Sequence, residues 1–306
     1  YEYTISQGDT LSELAQEYAK SEKKTTSEAL KEIKELNKST NLSVLKVGQK
    51  IKLPFEKKSS HKPRSSYEKW QQTVERGIDD IRWDEHDQLI KIAISENNNR
   101  LGVKSLYVEK AMPRLNWLTI KAILWTESGG PDNSTWKTRC MQIGNKGDPA
   151  YSVLKNKSEG SHIILSDKLH KQLALINTPR VNIQAAIAYL ITKMSLQDIK
   201  SIRNPDDKKE HSYTVKAGDS LEKISKNQGT TVQELRTSNP KLSKIIKPND
   251  ILKYRKASME RVIVGWRPFT IETIAKKYNS ETTDKLYGKK LKYILNDVFP
   301  KLKRSK

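Results

Sequence analysis

The stretch NWLTIKAILWTESGGP, residues 116–131, decides how the centre of the chain folds. Its apolar run from Trp117 to Trp125 is interrupted by Lys121, and the apolar side chains fall on every face of a helical wheel. A helix that is apolar nearly all round is typical of a protein interior. The Gly-Gly-Pro sequence at 129–131 predicts where this helix ends. Glu127 is therefore expected in the last turn of a buried helix.

The position of Glu127 gives it a candidate chemical role. Partial burial and the negative end of the helix dipole both disfavour a charged carboxylate, so we expect a raised pKa. A carboxylic acid that keeps its proton near neutral pH can serve as the general acid in cleavage of a glycosidic bond. The alternative is an ordinary ion pair between Glu127 and a nearby lysine or arginine.

The composition indicates a polar, basic, multidomain protein. The chain has 306 residues, of which 35% are hydrophobic and 30% charged, and we expect two to four domains. Its net charge of +21 favours anionic partners such as nucleic acid, anionic lipid or the carboxylate-bearing bacterial wall. The alternative is solvated lysine without a specific function, because the lysines are spread along the chain. No apolar run reaches about 18 residues, so no transmembrane segment is expected.

Other classes of site lack sequence support. Cys140 is the single cysteine, which excludes an internal disulfide, and we expect it to be a small buried hydrophobe rather than a nucleophile. The five histidines show no metal-ligand spacing, and no phosphate-binding or dinucleotide motif occurs. We therefore expect no metal, no cofactor and no nucleic-acid partner. Because the chain begins at Tyr1 rather than at methionine, we expect a signal peptide or other segment upstream.

An internal repeat lies near the two ends of the chain. YTISQGDTL at 3–11 aligns without a gap with YTVKAGDSL at 213–221. In each copy a short β-rich run meets a Gly-Asp turn, and a threonine or serine then caps a helix. A second helix and a closing strand, QKIKLP or NDILKY, complete a predicted βααβ unit.

Both copies resemble the LysM domain, a small module that binds glycans containing N-acetylglucosamine, such as peptidoglycan and chitin. The resemblance implies a shallow sugar groove between the first turn and the loop before the last strand. Alternatively, Gly and Asp only make the turn and Leu only fills the core. The implied binding residues are Gly8, Asp9, Thr10 and Leu11 in the first copy, and Gly218, Asp219, Ser220 and Leu221 in the second.

The middle of the chain carries a second family resemblance, over about residues 85–200. Glu127-Ser128, Met141-Gln142, Asn182-Ile183 and Tyr189-Leu190 occur in the order found in the lytic transglycosylase and goose-type lysozyme family. Arg139-Cys140 replaces the usual Gly-Leu before Met-Gln, and Ala186 replaces a usual glycine. Those departures leave open a protein that grips glycan without cleaving it.

The resemblance implies a role for each matched residue. Glu127 would protonate the oxygen between N-acetylmuramic acid and N-acetylglucosamine, and then activate the 6-hydroxyl of the muramyl sugar. Tyr189 would orient or polarise the groups near Glu127, unless it is simply a buried tyrosine. The implied sugar-binding residues are Ser128, Met141, Gln142 and Asn182, with core packing as the alternative for Met141.

A hydrolytic lysozyme would need a second carboxylate to activate water. Asp148 is the best-placed candidate in sequence, followed by Asp132, although Asp148 is more simply explained as the cap of a turn before Pro149. The sequence therefore favours the lytic transglycosylase reaction and leaves hydrolysis open.

The sequence predicts an α+β, mainly α protein that binds peptidoglycan strands and cleaves them. We expect it in the periplasm, the cell envelope or outside the cell, where it could also be an antibacterial effector. A protein inhibitor or a secretion partner, which the sequence does not identify, is left open as a further partner. The expected parts are a LysM domain at 1–55, a flexible linker at 56–66, a lysozyme-like helical catalytic domain at 67–202, a second linker at 203–212, a second LysM domain at 213–256 and a helical C-terminal extension at 257–306.

Overall fold

A computed structural model describes residues 1–6, 9–56, 65–243, 245–279 and 286–302. About 49% of the chain is helical, and the described residues form three two-stranded antiparallel sheets. This confirms the α+β, mainly α class. No helix in the described ranges is both long and apolar enough to cross a membrane.

The order of helices and strands reveals two small βααβ units and a larger helical core. Short 3₁₀ turns at 76–78, 81–84, 173–175 and 299–301 and a π turn at 294–298 lie between or after these elements. In chain order the elements are β1 (Glu2–Thr4), α1 (Leu11–Glu22), α2 (Thr26–Leu36), β2 (Lys50–Lys52), α3 (Ser66–Glu75), α4 (Asp87–Leu101), α5 (Trp117–Ser128), α6 (Pro149–Lys155), α7 (Ser161–Ile164), α8 (Asp167–Gln172), α9 (Pro179–Met194), β3 (Ser195–Arg203), β4 (His211–Thr214), α10 (Leu221–Gln228), α11 (Val232–Ser238), β5 (Ile251–Tyr254), β6 (Ala257–Trp266), α12 (Ile271–Tyr278) and α13 (Tyr287–Tyr293).

The chain divides into two compact units, Tyr1–Lys69 and Trp70–Lys306. The first unit contains the predicted βααβ arrangement, in which β1 pairs antiparallel with β2. Its helices α1 and α2 bury an apolar face against these strands, around Leu14, Ile33 and Ile51. The first copy of the repeat is therefore confirmed as a βααβ unit with its own small core.

The second unit is built around two helices that are apolar on every side, α5 and α9. The helices α4, α6, α7 and α8 surround them, and nearly every residue of α9 is buried. The same core also takes in Ile263 from β6 and the apolar faces of α12 and α13. The core of this unit thus draws on two segments of the chain that are far apart in sequence.

The second βααβ copy is inserted between these two segments. Strand β3 leaves the core and β6 returns beside it as its antiparallel partner, with Arg203 opposite Ala257 at the far end. Everything from residue 204 to residue 256 is therefore attached to the tip of a two-stranded ribbon. The inserted copy has its own small core around Leu221, Ile224 and Leu235.

Two of the boundaries expected from sequence change as a result. The segment 203–212 is not a flexible linker, because Asn204 and Lys256 pair through the backbone and Asp207 accepts a hydrogen bond from His211. The segment 257–306 does not begin as a helix, because its first ten residues form β6. The strand partner of β6 lies across the insertion, which is why local sequence patterns did not reveal it. Residues 57–64 of the expected first linker lie outside the described residues.

Candidate active site

Both ends of α5 are fixed by local interactions, and these hold Glu127 in the last turn. The side chain of Asn116 accepts a hydrogen bond from the Leu118 N–H at the start of the helix. At the other end Gly129 adopts a left-handed φ of 68° and donates its N–H to the Trp125 carbonyl. The predicted end of the helix is confirmed. Glu127 itself is half-buried.

The lysine within α5 is engaged away from Glu127. Lys121 is buried and its Nζ lies 2.7 Å from an oxygen of Asp84 and 2.8 Å from an oxygen of Asp87. Burial raises the pKa of Asp87 in spite of this ion pair, because desolvation outweighs the attraction of the lysine. Lys121 therefore neutralises two carboxylates at the middle of the helix. The expected rise in the pKa of Glu127 stays a prediction.

The carboxyl group of Glu127 is held by a tyrosine from the C-terminal segment. The hydroxyl of Tyr287 donates a hydrogen bond to Oε1 of Glu127 at 2.7 Å. Tyr287 is buried at the start of α13, which packs against α5. The sequence had placed an orienting tyrosine at position 189, whereas in the structure Tyr287 makes the hydrogen bond to Glu127.

Two more tyrosines pack together beside this pair. The rings of Tyr189 on α9 and Tyr278 on α12 lie 5.7 Å apart with an edge-on geometry. Burial raises the pKa of both phenols, and for Tyr278 the negative charges of Glu127 and Asp148 add to the effect. Tyr189 is also covered by the Lys193 ammonium, 5.2 Å from the ring centre. Both phenols therefore stay protonated and can act as hydrogen-bond donors.

Asn182 anchors the loop that carries Met141. Its Oδ1 accepts the Met141 N–H at 2.8 Å, and its Nδ2 donates to the carbonyls of Ile143 and Ile176 at 2.8 and 3.0 Å. Because Asn182 is fully buried and both amide hydrogens are used, it positions the loop rather than touching a sugar. Met141 is 2% exposed, which agrees with the alternative of core packing.

Gln142 is the most accessible of the residues expected to bind sugar in the helical core. Its φ of 58° lies in the left-handed region, which costs a residue other than glycine about 1 kcal/mol. Its amide donates to the Thr135 hydroxyl and accepts from the Asn145 amide, both at 2.9 Å. The side chain is half-buried, and these two hydrogen bonds hold its amide in one orientation.

Ser128 and the two alternative carboxylates have structural partners. The Ser128 hydroxyl is buried and donates to the Leu124 carbonyl at 2.7 Å, within its own helix. The two oxygens of Asp148 accept the N–H groups of Gly144 and Ala150 at 2.7 and 2.8 Å, so this residue caps α6 as the simpler interpretation predicted. Asp132 pairs with Arg82 at 2.9 Å on the surface.

Cys140 lies next to this loop and is inert. The residue is fully buried, and burial raises the pKa of its thiol to about 12. A thiol with that pKa is not ionised at neutral pH, and the thiolate is the nucleophilic form. The expectation of a small buried hydrophobe at this position is confirmed.

The aspartates of the two repeated units make matching hydrogen bonds. Asp9 accepts hydrogen bonds from the Tyr3 hydroxyl and the Ser6 N–H at 2.7 and 2.8 Å. Asp219 accepts from Tyr213 and from the N–H of Lys216 at 2.9 and 2.8 Å, and the backbone hydrogen bond lowers its pKa. Both aspartates therefore build the turn, in agreement with the sequence interpretation in which Gly and Asp make the turn.

The other residues of the turns divide into buried and exposed. Leu221 is buried and Leu11 is partly buried against its core, so both fill the interior of their units. Thr10 and Ser220 are exposed and cap the helices that follow them. Gly218 is exposed with a φ of 81°, and Gly8 lies outside the described residues.

A groove of about 530 Å³ runs along the inserted unit, beside the loop before its last strand. The residues lining this groove include Asn239, Leu242 and Ile251. Ile245 and Ile251 are both strongly exposed there, so the groove offers apolar surface beside polar side chains. This combination suits a sugar ring, which has apolar faces and polar edges.

Sequence reasoning had found Glu127 but not Tyr278 or Tyr287. The signal available was the amphipathic pattern of the C-terminal helices, which indicates docking on the rest of the chain. Such a pattern does not say which surface the helices cover. The link between these tyrosines and Glu127 therefore comes only from the structure.

The comparisons with known proteins agree with the repeat. The family model for the LysM domain matches residues 3–54 and 213–253. No curated protein and no solved structure matches the chain. The protein therefore carries two LysM domains, which indicate that it binds peptidoglycan or related glycans.

Proposed function

We propose that the protein cleaves the β-1,4 bond between N-acetylmuramic acid and N-acetylglucosamine in peptidoglycan, as a lytic transglycosylase does. In this proposal the helical core is a lysozyme-like catalytic domain and Glu127 is its acid and base. The observation that carries the proposal is the Glu127 carboxyl itself. It sits half-buried at the end of an apolar helix, and the hydroxyl of Tyr287 donates a hydrogen bond to it at 2.7 Å.

The reaction needs one carboxyl group from the protein. Glu127 donates its proton to the glycosidic oxygen as the bond to the anomeric carbon breaks. The resulting carboxylate then removes the proton from the 6-hydroxyl of the same muramyl sugar. That oxygen closes on the anomeric carbon and forms a 1,6-anhydro ring. Because the nucleophile belongs to the substrate, no second carboxylate has to activate water.

The state of the other carboxylates supports this reaction over hydrolysis. A hydrolase needs a second carboxylate that is available to a water molecule. Both oxygens of Asp148 accept backbone N–H groups, and Asp132 pairs with Arg82. Neither of the two candidates expected from sequence is placed as a general base.

The LysM domains and the charge of the chain support a wall substrate. Attachment of two glycan-binding modules to a catalytic domain raises the local concentration of substrate at its site. The net charge of +21 adds a general attraction to the carboxylates of the wall. LysM domains occur in secreted and wall-associated proteins, and we propose such a location for this one.

The test compares the wild type with Glu127→Gln on purified peptidoglycan sacculi, with released fragments weighed by mass spectrometry. Glutamine keeps the shape and can still accept from Tyr287, but it cannot donate a catalytic proton. We expect anhydromuramyl products from the wild type and a loss of about 10²–10⁴-fold in the variant. Glu109→Gln, which removes a surface ion pair with Lys200, is the matched control and should cleave normally.

Other outcomes would replace the proposal with a defined alternative. Fragments with reducing ends would identify a hydrolytic lysozyme and return attention to Asp148. If both proteins pellet with the sacculi but neither releases fragments, the chain is a glycan-binding protein without catalysis.

A further inference from the structure

The hydroxyl of Tyr278 is buried and lacks a hydrogen-bond partner among the residues that the structure describes. The side chain is 8% exposed, at the last position of α12. Buried tyrosine hydroxyls normally find a partner, because an unpaired polar group loses its hydration without compensation. A native protein that keeps such a group in its core invites a functional explanation.

The place of this hydroxyl is set by the packing of the C-terminal helices. Gly288 of α13 has no side chain, and a Cβ there would lie 3.4 Å from the Cβ of Ala275 on α12. This close approach brings the helix of Tyr278 against the helix of Tyr287, which holds Glu127. On its other side Tyr278 meets the ring of Tyr189 at 5.7 Å. Tyr278 therefore lies within the same cluster as the candidate catalytic carboxyl.

The surroundings select the kind of group that could bind there. The hydroxyl is a donor, because burial and the nearby carboxylates of Glu127 and Asp148 keep the phenol protonated. The charge of Asp148, and that of Glu127 once it has given up its proton, would repel an anion. The fitting partner is a neutral oxygen, such as the carbonyl of an N-acetyl group or a sugar hydroxyl.

We propose that Tyr278 is a substrate-contacting residue, whose hydroxyl donates a hydrogen bond to an N-acetyl carbonyl or a hydroxyl of the bound glycan. The nature of the ligand rests on the proposed function. The inference extends the site to a segment that follows the inserted LysM domain, and it makes that segment part of the substrate pocket. The hydroxyl is closed to solvent in the free protein, so it gains this partner only when glycan binding opens the packing around Tyr278.

The experiment measures the thermal unfolding midpoint with and without a soluble tetrasaccharide of alternating N-acetylglucosamine and N-acetylmuramic acid. The proteins are the full-length wild type, Tyr278→Phe and Tyr293→Phe. Tyr293 lies on α13 and donates a hydrogen bond to Glu75, so its variant removes a tyrosine hydroxyl that is bonded to a different carboxylate. The contribution of the LysM domains to the ligand-induced shift is the same in all three proteins and cancels in the comparison.

We expect the free Tyr278→Phe protein to be at least as stable as the wild type, because it loses an unpaired polar group. The tetrasaccharide should raise its midpoint by less than it raises the other two. If the wild type cleaves sacculi, Tyr278→Phe should lose about tenfold in kcat/KM, as expected for one lost hydrogen bond to substrate.

One result would overturn the inference, namely the same ligand-induced shift in Tyr278→Phe and wild type, whatever its size and whether or not the wild type cleaves. A lower midpoint of the free Tyr278→Phe protein would then assign the hydroxyl a structural role. Tyr278→Met repeats the comparison with a side chain of similar apolar volume if the phenylalanine variant is poorly expressed. Failure of cleavage in the wild type alone rejects the proposed reaction and leaves this comparison decisive.

Discussion

At the scale of single residues, the contact between Tyr287 and Glu127 makes a testable demand on the proposed reaction. Tyr287→Phe removes the 2.7 Å hydrogen bond and leaves the ring in place. A hydrogen bond to a charged group contributes about 1.5–3 kcal/mol, so kcat for glycan release should fall about tenfold or more. Steady-state release of fragments from soluble glycan strands measures kcat and KM separately.

The control for this prediction is Tyr293→Phe, six residues further along the same part of the chain. Because Tyr293 bonds to Glu75 instead, its loss should leave kcat unchanged. The positioning role fails if Tyr287→Phe and Tyr293→Phe have the same kcat as the wild type. A rise in KM without a change in kcat would instead indicate a contact with substrate.

How far the site could be predicted depends on the sequence distance between its parts. Glu127 lies in the last turn of α5 and Gly129 caps that helix, so periodicity and capping rules located both correctly. Tyr287 lies 160 residues beyond Glu127, and no local rule connects the two. The motif resemblance also selected Asn182 and Met141. Both are buried in the structure, where Asn182 anchors the loop that carries Met141.

At the scale of elements, the end of α5 depends on Gly130. A Cβ at Gly130 would lie 2.2 Å from the ring of Trp83, and its φ of 102° is unfavourable for any other residue. Gly130→Ala should therefore destabilise the protein by about 3 kcal/mol or more in urea unfolding. The alanine either displaces Trp83 or changes the end of the helix.

Gly147→Ala separates the steric effect from the backbone effect. Gly147 has a similar positive φ of 81°, but no neighbouring atom lies within 4 Å of the position of its Cβ. We expect it to cost only about 1 kcal/mol. Equal losses in the two variants would mean that the contact with Trp83 has no steric consequence.

The pairing of β3 with β6 is the element that sequence reasoning missed. Residues 257–266 contain β-branched side chains that suit a strand, but a strand needs a partner before it is stable. That partner ends at Arg203, and a whole domain lies between the two. The expectation of a linker and a helical extension followed from taking neighbouring segments in order. The repeated βααβ units were predicted correctly because each contains all its own strand partners.

At the scale of the whole molecule, the insertion makes the second LysM domain removable in principle. Arg203 and Ala257 are paired, so a two-residue Asn-Gly turn in place of residues 205–255 could join the ends of the ribbon as a hairpin. We expect the remaining helical core to keep its unfolding midpoint within a few degrees. Binding to sacculi should fall about tenfold or more, because one of the two tethers is lost.

Sedimentation with sacculi and thermal unfolding of the shortened protein test this prediction. The reference is the full-length chain, with the first LysM domain intact in both. A collapse of the core on excision would contradict an independent insertion. It would indicate that contacts with the inserted domain, such as the ion pair between Arg203 of β3 and Glu234 of α11, stabilise the ribbon.

The completion of the core by its C-terminal segment also imposes an order in time. A ribosome makes Glu127 long before it makes β6, α12 and α13, and the second LysM domain must be synthesised in between. Until Tyr287 has emerged, α5 lacks one of the helices that cover it and Glu127 lacks its hydroxyl partner. A nascent chain, or one truncated before residue 287, therefore carries the carboxyl without the assembled site. Under the proposed reaction, cleavage of the cell wall would begin only after residue 287 has been synthesised and packed against α5.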